Sequence, residues 1–379
     1  MKFAILSNDV VPGMGLPASG QGIRALCTQR LLEELGWTAD VFMQFSLVSE
    51  RYRRWSELPG FKVPSSVQLY RAVEARERLA EYDTIVLHNW GAGQKLQLLD
   101  HPPGRLIYDF FSATLVEHEF LDKGEAYLED VAQRKNRLLK PASAFWGNGT
   151  GRVDYATAYL ERQGITGQPV WNVPMSPECQ ENTRERLIVV GGFRQAWTTT
   201  LSDRMLDRIA ETFADYEVVR LGHGIQYHGL KLAPVDADAE AVSARRFFDL
   251  NPMTFADYER LLRRASLFID LSDLNAERRV SFSSRGLTAL AMGCPILHNR
   301  ETDLGALVEA FEAGACLAED ALGSEEALLE AVRRCVAVDR REAAHGLVRH
   351  LEDTARENIA RSVEGAGSTD MTRAADANA

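Results

Sequence analysis

The stretch Glu277-Arg-Arg-Val-Ser-Phe-Ser-Ser-Arg-Gly-Leu-Thr-Ala-Leu-Ala-Met-Gly-Cys-Pro-Ile-Leu297 decides how the chain folds. It reads as a loop, a helix opened by Ser283 and Ser284, a stop at Gly293 and a buried strand from Pro295. A serine at a helix start accepts a backbone N–H that otherwise has no partner, and a glycine past the last turn takes left-handed geometry cheaply. A helix running into an apolar strand is part of a βαβ unit, whose strands lie parallel. The first N–H groups of that helix, the serine hydroxyls of Ser283 and Ser284, and Arg285 would together hold a dianionic diphosphate, the helix dipole adding about 0.3–1 kcal/mol. The competing reading is that the serines only cap the helix.

Outward from this stretch the same alternation recurs. Apolar runs at Leu187–Val190, Val218–Leu221, Phe247–Leu250 and Leu267–Leu271 read as strands, with helical spacing at Leu201, Met205, Leu206, Ile209 and Phe213 between the first two. Thr254 followed by Asp257 marks the start of a helix carrying Tyr258, Leu261, Leu262 and Ala265. Earlier in the chain, Phe3–Leu6, Ala39–Met43, Thr84–Leu87, Leu106–Tyr108 and Ala144–Trp146 form a first series. Between its first two strands the stripe Ile23, Leu26, Cys27, Leu31, Leu35 predicts a helix that ends at Gly36. The polar stretch Ser176–Arg186 separates the two series, and helices are predicted near residues 325–337 and 341–361. The fold class is therefore α/β, with two Rossmann-like doubly wound domains facing a cleft. The divisions are residues 1–174, a linker at 175–186, a second domain at 187–340, a helix at 341–362 packing back on the first domain, and a flexible tail at 363–379.

Composition agrees with two domains: 379 residues exceed the roughly 100–200 usual for one. Hydrophobic residues at 45% and charged residues at 26% supply an ordinary globular core. A formal net charge of −11 repels polyanions, so nucleic acid is not expected as the main partner. No apolar run reaches the ~18–20 residues of a membrane span, and the start lacks a signal-peptide core, so the chain reads as soluble and cytoplasmic. Its five cysteines, Cys27, Cys179, Cys294, Cys316 and Cys335, are scattered without a Cys-x-x-Cys pair and read mostly as buried small hydrophobes.

Ligands in doubly wound folds bind at the carboxyl ends of the strands. Gly13, Gly15, Gly20 and Gly22 crowd the loop after the first strand, which either lets backbone approach a ligand or simply connects strand to helix. The counterpart Val189-Val190-Gly191-Gly192-Phe193-Arg194 ends a strand in glycines and then a guanidinium suited to bidentate phosphate contacts, or to an ordinary surface position. Asp109 ends its strand and either activates an acceptor hydroxyl or caps the next segment; Glu117, His118 and Glu119 either assist or form a solvated face. Asp236, Asp238 and Glu240 read as a solvated loop rather than a metal site, and His223 and His228 lack a third ligand, so no metal is assigned.

These residues carry a resemblance. Leu-x-Ala-Leu-Ala-x-Gly-x-Pro-Ile at residues 287–296, the strand-Gly-Gly loop, and Asn251-Pro252-Met253-Thr254 before a helix resemble the carboxyl-terminal half of retaining GT-B glycosyltransferases. A bacterial subgroup is similar in more detail: Gly191, Gly192 and Trp197 match its Gly-Gly-x-x-x-x-Trp, Ser281, Phe282 and Arg285 its Ser-Phe-x-x-Arg, and Asp109 and Glu117 its amino-terminal acidic pair. The resemblance spans about residues 1–320. It implies a metal-independent transfer of a hexosyl unit from a nucleotide diphosphate sugar to an acceptor hydroxyl, with retention and without a further cofactor. The first domain would then be acceptor-side and the second would bind the nucleotide sugar. Gly192, Arg194, Ser283, Ser284 and Arg285 would hold the diphosphate, Pro252, Met253 and Thr288 the nucleoside, Gly20 and Gly22 the amino-terminal loop site, and Asp109, Glu117 and Glu277 would be catalytic. A small molecule or soluble carbohydrate is the expected acceptor.

The sequence departs from this family at two places. Its pair of glutamates separated by seven residues would fall at Val280 and Thr288, and no basic residue follows Arg194, where Gln195, Ala196 and Trp197 stand. Glu277 either replaces the sugar-binding glutamate or forms a surface pair with Arg279. Two other readings compete. One is a catalytically silent nucleotide-sugar-binding homologue. The other is an NAD-dependent oxidoreductase, which would want Gly-x-Gly-x-x-Gly and an acidic residue about 20 positions on.

Overall fold

In a computed structural model, the structure describes residues 1–7, 9–54, 60–88, 102–111, 123–167, 169–171, 177–191, 201–221, 246–250 and 253–376. The chain divides into two compact units, Met1–Met175 with His350–Ala379, and Ser176–Arg349.

The first unit is built on seven parallel strands: β1 (Lys2–Ser7), β2 (Thr38–Gln44), β3 (Val67–Tyr70), β4 (Thr84–Leu87), β5 (Arg105–Phe110), β6 (Ala144–Gly147) and β7 (Pro169–Trp171). Their order is β3-β2-β1-β4-β5-β6-β7, so the sheet reverses its direction of growth between β1 and β4. Every residue of β4 is buried, as expected of a central strand covered on both faces. Helices α1 (Gly20–Glu34), α2 (Phe45–Arg54), α3 (Ala75–Leu79), α4 (Glu125–Leu139) and α5 (Thr150–Arg162) connect the strands. Helix α1 stops where predicted. Gly36 sits at φ +82°, its N–H bonds to the Glu33 carbonyl at 2.9 Å, and the Trp37 N–H bonds to Leu32 at 3.0 Å. Two carbonyls left open by the last turn are closed in this way.

The second unit holds six parallel strands: β8 (Leu187–Val190), β9 (Glu217–Leu221), β10 (Phe248–Leu250), β11 (Leu267–Asp270), β12 (Ile296–Asn299) and β13 (Gly314–Leu317). Their order is β10-β9-β8-β11-β12-β13, with the same reversal between the first strand and the fourth. The helices are α6 (Asp203–Thr212), α7 (Phe255–Leu262), α8 (Ala276–Arg279), α9 (Ser284–Ala291), α10 (Asp303–Ala310) and α11 (Glu325–Ala337). Thr254 caps α7, its hydroxyl accepting the Asp257 N–H at 3.2 Å.

Three elements gave weak signals. Strands β3, β7 and β13 are only three or four residues long, too short for alternation to register. The polar stretch before β8 packs on the second unit: the Asn182 side chain is 2% exposed and its Nδ2 donates to the carbonyls of Leu262 at 2.9 Å and Met292 at 3.0 Å. Its polarity serves helix ends rather than water. Helix α12 (Arg341–Asp376) contributes Ala355, Ile359 and Val363 to the core of the first unit, where Arg105 donates to the carbonyls of Ser362 and Val363 at 3.0 Å. It continues through the Gly365 region to Asp376. Four of the five cysteines are buried, and none of the five is paired in a disulfide. No helix among the described residues is long and apolar enough to cross a membrane.

Candidate functional site

In the second unit β8, β11 and β12 end side by side at the reversal point, followed by Gly191, by the loop after Asp270, and by Arg300. Asp270, the last residue of β11, is 3% exposed. Its Oδ2 accepts the Ser283 hydroxyl at 2.5 Å, and its Oδ1 lies 2.9 Å from an Arg285 guanidinium nitrogen. Ser283 is the N-cap of α9, its Oγ also accepting the Gly286 N–H at 3.1 Å. His298, near the end of β12, donates through Nδ1 to the Asp270 backbone carbonyl at 2.8 Å. Burial alone would push the Asp270 carboxyl up, but Arg285, His298, Arg278 and the Ser283 hydrogen bond outweigh it and hold it below the usual carboxylate range. Burial lowers His298, against the pull of Asp270, so the imidazole favours its neutral form. The loop is tied down as well, since Asn299 accepts the Ser272 N–H and donates to the Ser272 carbonyl, both at 2.9 Å.

The structure thus brings Ser283, Ser284 and Arg285 together at one helix start, with Asp270 orienting both the serine and the arginine. Glu277 lies in the short turn α8, 6% exposed, where it accepts the Ser281 hydroxyl and stands 3.8 Å from Arg278. The alternative surface pair with Arg279 is not formed: Arg279 bonds Glu319 at 2.7 Å. Thr288 is wholly buried, and its hydroxyl donates to the Ser284 carbonyl at 2.8 Å within α9. Its hydroxyl is already spent on the helix, whereas Met253 is half-buried just before α7. Gly192, Arg194, Trp197, Pro252, His223, His228, Asp236, Asp238 and Glu240 lie outside the described residues.

In the first unit the corresponding edge carries a second buried cluster. Asp109 on β5 is 1% exposed, and Arg24 of α1 grips it with two bonds, Nε to Oδ2 at 2.5 Å and a terminal nitrogen to Oδ1 at 2.8 Å. His88, immediately after β4, places Nδ1 2.6 Å from the same Oδ2. Burial would raise the Asp109 carboxyl, yet Arg24 and His88 together hold it below its ordinary value. Burial lowers His88, Asp109 opposes that and Arg24 reinforces it, leaving the imidazole inclined to neutrality. With an ionised carboxylate on Nδ1, that nitrogen carries the proton and Nε2 carries the lone pair. His88 Nε2 is buried without a hydrogen-bond partner. Asp109 is therefore the penultimate residue of β5, which runs on to Phe110 rather than ending at Asp109, and its carboxylate is engaged by a guanidinium and an imidazole. Glu117, His118 and Glu119 lie outside the described residues.

The glycine loop after β1 is packed. Val10, Val11, Met14 and Leu16 are each at most 2% exposed, and a Cβ on Gly22 would stand 1.9 Å from the Val10 carbonyl oxygen. Glycine there lets α1 press against the loop, which seats Arg24 one half-turn later. Gly20 opens the helix, capped by Ser19.

Sequence reasoning passed over Arg24, His88, Asp270, His298 and Asn299. The signal shared by His88, Asp270 and His298 is a titratable residue at or just past the tip of an otherwise apolar strand beside the reversal point. Among the described residues, no group of three or more His, Cys, Asp or Glu side chains is placed to hold a metal ion.

Compared by sequence, the chain matches no family of known proteins. It matches no characterised protein at that level either. Compared by structure, it is similar over its whole length to solved glycosyltransferase-fold proteins. Anabaena HepE, solved in complex with UDP, aligns at 13% identity with TM-score 0.59, covering 96% of this chain and 100% of that one. An alpha-glucosyltransferase solved with UDP and a 13-mer DNA aligns at 12% identity and TM-score 0.58, covering 92% of this chain and 95% of the other. Sucrose-phosphate synthase from Thermosynechococcus elongatus aligns at 14% identity and TM-score 0.55, covering 99% and 100%. Two doubly wound parallel sheets, matched end to end with these structures, give this chain the GT-B fold.

Proposed function

We propose that this chain is a glycosyltransferase that moves a hexosyl unit from a nucleoside diphosphate sugar to an acceptor hydroxyl, with retention at the anomeric carbon. The observation that carries the reading is the start of α9, where Ser283 and Arg285 are held in place by Asp270 at the reversal point of the second sheet. The full-length likeness to proteins solved with UDP supports uridine diphosphate as the first nucleotide to test.

Departure of the diphosphate builds negative charge on the leaving group and positive character on the sugar. Preorganised donors aimed at that developing charge supply most of the stabilisation. Arg285 is suited to this: about 20% of its side chain is exposed, and Asp270 fixes its plane before any ligand arrives. The helix N-terminus adds its own favourable field, and Arg194 and Gly192 complete the diphosphate site in this reading. Fixed cations and amides do the work here that a divalent ion does in other sugar transferases, so the scheme runs without metal. Glu277, buried in α8, is assigned to a sugar hydroxyl, and Pro252 and Met253 to the nucleoside. The acceptor is assigned to the first unit and to the class of small molecules or soluble carbohydrates.

The test is calorimetric titration with UDP followed by release of UDP from UDP-glucose and other UDP-sugars. Binding together with turnover supports the enzyme. Tight UDP binding with no turnover from any donor identifies a silent binding protein instead, and absence of binding to every nucleoside diphosphate overturns the reading.

A further inference from the structure

The second unit holds an imidazole to which the transfer scheme gives no work. His298 pairs with Asp270 at the carboxyl end of the β11–β12 ladder, so both side chains leave the sheet on the same face. Its Nδ1 donates to the Asp270 carbonyl at 2.8 Å, which puts the lone pair of the neutral ring on Nε2. Burial favours that neutral form, with Arg278 and Arg285 also opposing protonation and Asp270 favouring it. The ring is not sealed: 6% of the side chain is exposed, and no hydrogen bond to Nε2 forms among the described residues. A lone pair repels a phosphate oxygen and accepts from a hydroxyl, so the part of a ligand suited to Nε2 is an O–H and not the diphosphate. The strand order says which O–H. From β10 to β12 the edge runs β10-β9-β8-β11-β12, four strand spacings of about 4.8 Å, or about 19 Å in all. Met253 follows β10 at one end, the start of α9 bonds Asp270 of β11 in between, and His298 stands on β12 at the other end. A nucleoside diphosphate sugar laid along this edge, with its nucleoside at Met253 and its diphosphate at α9, carries its sugar toward β12.

We propose that His298 is a specificity-determining residue whose Nε2 accepts a hydrogen bond from a hydroxyl of the hexosyl unit carried by the diphosphate on α9. This rests on the transfer reading above. The lone pair orients the sugar and selects among hexoses by the place of their hydroxyls; no bond-making step is assigned to it. The rival role is structural, because Nδ1 already caps the Asp270 carbonyl and any amide N–H at that place would do the same. That role uses one nitrogen of the ring and the sugar contact uses the other, so side-chain length separates them. An asparagine amide reaches the position of Nδ1 and stops short of Nε2, whereas a glutamine amide reaches Nε2.

The experiment titrates the full chain calorimetrically with UDP, UDP-glucose, UDP-galactose and UDP-N-acetylglucosamine, and then with the monodeoxy analogues of whichever sugar nucleotide binds best. In the unaltered protein, removal of one sugar hydroxyl is expected to weaken binding about 3- to 10-fold, the worth of one ordinary hydrogen bond. His298→Asn is expected to leave the UDP dissociation constant within about twofold and to weaken the sugar nucleotide by that same factor. The sensitive deoxy analogue then loses nothing further, since the two changes remove one and the same bond. His298→Gln regains part of the affinity for the full sugar. Equal weakening of UDP and of the sugar nucleotide in His298→Asn would assign the residue to the structural role and overturn the proposal. Should His298→Asn fail to fold, nitrogen-15 NMR of the unaltered protein decides. An Nε2 resonance of His298 that moves with the sugar nucleotide and not with UDP supports the contact, and one that moves with neither overturns it. Unaltered protein that binds no nucleoside diphosphate defeats the transfer reading, whereas protein that binds UDP as tightly as every sugar nucleotide defeats this inference alone.

Discussion

The two sheet edges use the same three residue types to opposite ends. In the first unit an aspartate near the end of a strand, Asp109, binds an arginine and a histidine through its carboxylate, and the arginine is wholly buried. In the second unit Asp270 also meets an arginine and a histidine, but the histidine bonds its backbone carbonyl and stands 3.5 Å from the carboxylate. Arg285 there keeps 20% of its side chain exposed and belongs to the first turn of a helix. The first carboxylate therefore orients an imidazole and is paired with a buried guanidinium. The second orients a guanidinium and a serine at the first turn of a helix. Where the arginine sits, in mid-helix on α1 or at the start of α9, decides which group the aspartate presents.

The largest effect is expected from removing the closed arginine. Arg24→Met leaves Asp109 ionised in a dry site, and breaking a buried pair in this way costs about 3–5 kcal/mol. That is a large fraction of the ~5–15 kcal/mol by which ordinary domains are stable. Urea denaturation measures it, and a loss below about 1 kcal/mol would mean that the pair is solvated. Arg285→Ala breaks the comparison from the other side. Asp270 keeps Ser283, His298 and Arg278 nearby, so stability falls less, but UDP affinity drops by about 10- to 100-fold through loss of a charged hydrogen bond. Calorimetry reads it, and unchanged affinity would remove Arg285 from the diphosphate site.

The difference between the edges also shows what was legible in the sequence. The central strands, such as Thr84–Leu87 and Leu187–Val190, announce themselves as unbroken apolar runs because both of their faces are covered. The start of α9 was legible because serine capping is a local interaction, written in residues one to three apart. Asp109 was found for its place near the tip of a strand, but its partner Arg24 is 85 residues away and hidden inside an apolar helical stripe. Nothing local says that a helix will aim a guanidinium into the sheet. Asp270 and Ser283 are 13 residues apart, across a loop whose path only tertiary packing defines. Chemistry built on one element could be read from the sequence, and chemistry built between elements could not.

A pH titration of stability sharpens the pairing of the two clusters. His88 and His298 have lowered values in the folded protein, so below the ordinary histidine value of about 6.5 the unfolded chain binds more protons and stability falls with falling pH. Asp109 and Asp270 are also lowered, which gives a second loss below about pH 4, where the unfolded carboxylates protonate first. Chemical denaturation at stepped pH therefore shows stability declining in two stages. His88→Gln flattens part of the upper stage, and Asp270→Asn part of the lower. An upper stage that persists unchanged in both histidine variants, His88→Gln and His298→Gln, would mean that neither imidazole is held neutral.

The smallest effect is expected at Thr288. Its hydroxyl bonds the Ser284 carbonyl one turn back and has no exposed surface, so a nucleotide approaching the edge of the sheet meets the helix backbone and Arg285 before it meets this side chain. Thr288→Val keeps the shape and removes only the back-bond, a change of about 1 kcal/mol or less in stability. UDP affinity is expected to stay within about twofold. A fall of tenfold or more in calorimetry would show that the hydroxyl leaves its carbonyl to reach the nucleoside, and that α9 offers the ligand an interior position as well as its first turn.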